Sequence, residues 1–109
     1  MALPDIDLVR IRRWCDAHVP KQLWEQVKIE ADVEARHVTI VEVRPPWDGQ
    51  GDHTRFPIAR LRYTQTTGLW SLYWRDQNLK FHAYDIPPTP TVQVLLDYID
   101  DSGDPIFFG

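Results

Sequence analysis

Apolar residues recur at helical spacing near both ends of this chain and alternate with polar residues in the stretch between. Near the start, Leu8, Ile11, Cys15 and Val19 form one apolar stripe, which predicts a helix over 4–19. Pro4 or Asp5 stands at its start, Asp7 suits the positive end of its dipole, and Pro20 ends it. Over 26–34 the pattern changes to strict alternation. Val27, Ile29, Ala31 and Val33 face one way, and Lys28, Glu30, Asp32 and Glu34 the other. This is the signature of a half-buried strand. The next run, 37–44, holds Val38, Ile40, Val41 and Val43 in looser alternation, which predicts a strand covered on both faces. Pro45 and Pro46 stop it, because neither donates to a ladder.

Three more strands follow. In 56–64, Ala59, Leu61 and Tyr63 oppose Ile58, Arg60 and Arg62. In 69–75, Trp70, Leu72 and Trp74 oppose Ser71, Tyr73 and Arg75. In 79–84, the alternation assigns Leu79, Phe81 and Ala83 to the core and Lys80, His82 and Tyr84 to solvent. Gly68 and the Asp76-Gln77-Asn78 segment supply the turns. Thr89 as cap and Pro90 as first residue begin a second helix, whose buried stripe is Val92, Leu95, Leu96 and Ile99. Asp100 and Asp101 at its negative end each cost about 0.3 kcal/mol or more. Ile106, Phe107 and Phe108 in the tail are expected to dock on the core or on a partner subunit.

The predicted architecture is α+β: an N-terminal helix, a five-stranded, mainly antiparallel meander, and a C-terminal helix. Both helices cover the Trp70/Trp74 face. A chain of 109 residues with 43% hydrophobic and 26% charged residues suits one globular domain over 1–109. Cys15 alone excludes an internal disulfide and reads as a small buried residue. With no basic-then-apolar leader and no long apolar run, the expected setting is cytoplasmic, without a membrane. Trp47 in the loop 47–54 is expected to anchor that loop on the core. Asp48, Asp52 and His53 match no metal-ligand spacing.

Charge divides the chain. From Arg55 to His82 there are five Lys and Arg residues against one acid, Asp76, while 83–109 holds five aspartates and no Lys or Arg. In a simple meander, the outer rows gather Arg60, Arg62, Tyr73, Arg75, Lys80, His82 and Tyr84 on one face. Guanidinium groups bind phosphate and aromatic rings stack on bases, so the expected partner is nucleic acid or a nucleotide. The bland reading is a solvated face whose cations pair with Glu30, Glu42 or the tail aspartates. A second reading is a protein-interaction module or a homodimer, through an edge strand or the C-terminal tail. A third is a small endoribonuclease, with His82 or Tyr84 moving a proton and Arg60, Arg62 or Arg75 stabilising the phosphorane. The chain has no Gly-rich phosphate loop, CxxC, HExxH or GxSxG, and nothing in it calls for a cofactor. The Glu42-Val43-Arg44 triplet is too short to mark a nuclease.

Three segments, PDIDLVRIRRWCDAHVP, VTIVEVRPPW and TRFPIARLRYTQTTGLWSLYWRDQNLKFHAYD, together resemble DUF3024, a family of small bacterial proteins. The resemblance implies a stand-alone protein of about this size. It carries no activity, cofactor or catalytic residue.

Overall fold

The computed structural model describes residues 3–46, 48, 49, 51–103 and 105–108. Helix α1, Asp5–His18, leads through a short 3-10 turn, Lys21–Leu23, into strands β1 (Lys28–Val33), β2 (His37–Arg44), β3 (Thr54–Thr64), β4 (Leu69–Arg75) and β5 (Phe81–Ala83). Helix α2, Val92–Asp101, and the single turn α3, Pro105–Phe108, complete the chain. Among the described residues the strands form one antiparallel sheet in the order β1-β2-β3-β4-β5. The fold is therefore α+β.

The helices pack on one face only. Ile11, Trp14 and Cys15 of α1, Val92, Leu95, Leu96 and Ile99 of α2, and Phe107 join Ile29, Val38, Ile40, Leu61, Trp70 and Leu72 in one core. The stripe of α1 includes Trp14 as well, with Leu8 half-buried against the core, and it contains a buried carboxylate, Asp7. Asp7 accepts the indole N–H of Trp70, which removes the cost of burying both groups. Among the described residues, no buried side-chain polar atom lacks a hydrogen-bond partner.

Two expectations about the ends of elements need correction, and a third is met in one of its two forms. Thr89 does not cap α2: it bridges to Trp70 as an isolated β pair, so the helix begins at Val92. Asp100 is not a bare liability, because its Oδ2 accepts the Trp14 indole N–H at 2.8 Å and fastens α2 to α1. The tail docks on this chain's own core, where Phe107 is buried beside the Tyr84 ring. The expected Trp47 anchor and the terminal Gly109 lie outside the described residues.

A bulge in β3 decides what the sheet presents on its other side. Ile40 pairs with Ala59 but Val41 with Pro57, so Ile58 is the extra residue and turns into the core. Pro57 and Arg55 consequently share a face with Val41 and Val43. This corrects the alternation that grouped Ile58 with Arg60.

Candidate anion-binding face

The face turned away from the helices is built from cross-strand rows. One row is Asp32, Thr39, Arg60, Tyr73 and Ala83. The next is His37, Arg62 and Ser71. Strand β2 is apolar here too: Val41 and Val43 are buried, yet they lie outside the helix-side core. Arg55 passes over them. Its side chain starts on β3 opposite Val43, and its guanidinium donates to Glu30 and Asp32 on β1, so its stem crosses over β2. Those contacts hold its pKa above the usual guanidinium value, the Glu30 hydrogen bond first. Arg55 is thus neutralised, as Arg44 is by Glu42.

Arg60 and Arg62 are different. Among the described residues neither is ion-paired. Arg60 Nε donates to Thr39 Oγ1 at 3.1 Å, and its guanidinium lies 4.0 Å from the Phe81 ring centre. Thr39 and Phe81 therefore hold the group from two sides, and the cation–π contact helps offset its desolvation. Burial lowers the Arg60 pKa, yet a guanidinium stays charged at any ordinary pH. His37, opposite Arg62, has its pKa lowered by burial first and then by the charge of Arg60.

Arg75 sits at the rim. Pairing of β3 with β4 stops at Ala59 and Trp74, which leaves the Pro57 carbonyl without a strand partner from β4. Arg75 Nε donates to that carbonyl, Nη1 donates to the Asp76 carbonyl at 3.2 Å, and the guanidinium lies 4.0 Å from the Phe56 ring centre. Three acceptors thus hold it as a structural clasp.

The remaining residues expected on this face do not lie there. Leu79 takes a positive φ of 63° inside the Asp76–Lys80 turn, so β5 starts two residues later, at Phe81. That reverses the inferred phase. Phe81 pairs with Arg75 and Ala83 with Tyr73 on the uncovered face, while His82 pairs with Trp74 on the helix side. Lys80 is a turn residue whose backbone N–H donates to Asp76 Oδ1 at 3.0 Å. His82 lies 4.8 Å from the Trp74 ring, with Nε2 2.7 Å from Asp76 Oδ2. Tyr84 accepts from Tyr98 OH at 3.2 Å and packs on Phe107. Arg60, Arg62 and Tyr73 are brought together. His82 and Tyr84 are turned away from them, so the expected ribonuclease grouping is not assembled.

Sequence reasoning missed His37, Thr39 and Phe81. Thr39 and His37 alternate with Val38 and Ile40, so a stricter period-2 reading of β2 finds them. Phe81 has no such signal, because its side depends on one backbone angle at Leu79.

A family model for a domain of unknown function, DUF3024, matches residues 2–109. The chain belongs to the DUF3024 family. No curated protein and no solved structure matches it. Among the described residues of this DUF3024 chain, no three His, Cys, Asp or Glu side chains are grouped to hold a metal. None of its described helices is long and apolar enough to cross a membrane.

Proposed function

We propose that this DUF3024 protein binds single-stranded nucleic acid on the uncovered sheet face. Arg60 and Arg62 take backbone phosphates, and Tyr73 offers its ring to a base. The observation that carries this reading is a contrast on one surface. Arg55 and Arg44 are spent on carboxylates, whereas Arg60 and Arg62, two residues apart on the central strand, have no ion-pair partner among the described residues, Glu34 acting on Arg60 only through its more distant charge. A folded chain that places paired and unpaired guanidiniums side by side keeps attraction for an outside anion only at the unpaired ones. Tyr73 lies directly across from Arg60, within reach of the same strand of ligand.

The net charge of −4 confines that attraction to the local face. Binding through two phosphates gives a log–log salt slope of about −1.4 for a single strand. The test is fluorescence anisotropy with labelled oligothymidylate and oligouridylate at several salt concentrations. Arg60→Ala and Arg62→Ala should each weaken binding by about tenfold. Arg13→Ala, which removes an exposed guanidinium from α1 on the helix-covered side, should leave affinity within about twofold. Equal losses for all three variants, or affinity indifferent to salt, would remove this reading.

A further inference from the structure

Arg62 also faces a second feature. The β1–β2 and β3–β4 turns lie side by side at one end of the sheet, where the Tyr63 N–H donates to the Arg36 carbonyl at 2.9 Å. Between them is a recess of about 430 Å³, lined by Leu3, Arg36, Arg62, Tyr63, Thr64 and Thr66 among others. Its volume falls within the range of small-ligand sites. The lining residues include two arginines, three that carry a hydroxyl (Tyr63, Thr64 and Thr66) and no Asp or Glu. Neither Arg36 nor Arg62 is ion-paired among the described residues. One wall is the Tyr63 ring, braced 5.1 Å from the buried Trp70 ring.

We propose that this recess binds a terminal phosphomonoester, and so gives the sheet face a preference for a phosphorylated strand end. The argument is one of charge. A phosphodiester in a strand carries one negative charge, whereas a terminal phosphomonoester carries about 1.5 to 2 at neutral pH and three acceptor oxygens. Arg36 from the β1–β2 turn and Arg62 from the end of β3 can both fork onto such a group, with Thr64 and Thr66 hydroxyls left to donate. A diester inside a strand has only two free oxygens and a chain leaving on either side. Arg62 belongs both to the row beside Arg60 and to the recess, so an end seated here leads its strand onto the proposed face. The inference rests on the nucleic-acid reading for the strand. The phosphomonoester chemistry is shared with a free mononucleotide.

The experiment compares oligothymidylates about ten nucleotides long carrying a 5′-phosphate, a 3′-phosphate or hydroxyls at both ends, with the label inside the strand. Adenosine and thymidine monophosphates are titrated in parallel by calorimetry. The proposal expects one phosphorylated end to bind about tenfold tighter than the hydroxyl-ended strand. Arg36→Ala should abolish that difference and leave the hydroxyl-ended strand unchanged. Arg36 is exposed in a turn, and a matching thermal unfolding curve checks that the variant is folded. Indifference to end phosphate, with the strand still bound, overturns the recess and leaves the face. Mononucleotide binding that Arg36→Ala weakens, with no strand bound, supports the recess and overturns the face. Binding of neither overturns both.

Discussion

The indole N–H of Trp70 donates to Oδ2 of Asp7 at 3.0 Å across 63 residues of sequence, inside the core. Trp70 is fully buried and Asp7 is 6% exposed. The contact ties the first turn of α1 to β4, next to the central strand. Asp7→Ala should cost about 1–3 kcal/mol, because it strands a buried donor. Asp7→Asn keeps an acceptor and should cost less. Urea unfolding measures both, and an Ala variant as stable as the parent would remove this bond from the fold's support.

Phe107 fastens the C-terminus. It is 5% exposed, and its ring centre lies 5.3 Å from that of Tyr84. Phe107→Ala should cost about 3–5 kcal/mol in chemical denaturation, a cavity cost rather than a loss of surface contact. An unchanged midpoint would mean that the tail is dispensable.

The β4–β5 turn should weaken in acid. The Asp76 pKa is lowered from its ordinary 3.8, first by the His82 hydrogen bond and then by the backbone N–H groups of Lys80 and Asn78. A lowered carboxylate stabilises the fold in full above its unfolded pKa, and that contribution is lost as pH falls through the folded value. Protection of the Lys80 amide should therefore decline below pH 3.8. In Asp76→Asn the turn should lose this dependence. Protection that is flat with pH in the parent protein would contradict the linkage.

Ligand binding should move His37. Its pKa is lowered by burial and by Arg60, so protonation in the fold is opposed by positive charge. Phosphates seated on Arg60 and Arg62 act in the opposite sense. The His37 ring resonances should titrate at higher pH in the presence of oligothymidylate, and affinity should rise as pH falls through that range. A titration unchanged by saturating ligand would place the strand elsewhere.

Much of this was legible in the sequence, and the reason differs by residue. β2 and β4 read correctly to the residue, because Pro45 and Pro46 end the one and Gly68, at a positive φ of 67°, begins the other. Arg60, Arg62 and Tyr73 were placed on one face by alternation alone, since no bulge falls between them and their partners. Alternation failed where a single residue breaks the count: Ile58 in its bulge, and Leu79 with its positive φ. Each shifts everything beyond it to the other side of the sheet. His82 and Tyr84 left the candidate site for that reason.

The sequence by itself determined the order of elements, the helix-covered row of Leu61, Trp70 and Leu72, and the concentration of positive charge in the middle of the chain. Those properties depend on neighbours two to four residues away. Only the tertiary structure decided which cations remain available. Arg55 reaches across β2 to Glu30 and Asp32 on β1, whereas Arg60, five residues later on the same strand, meets a threonine and a ring. Whether a guanidinium is neutralised depends on carboxylates brought near it by strand register, and no local pattern encodes that distance.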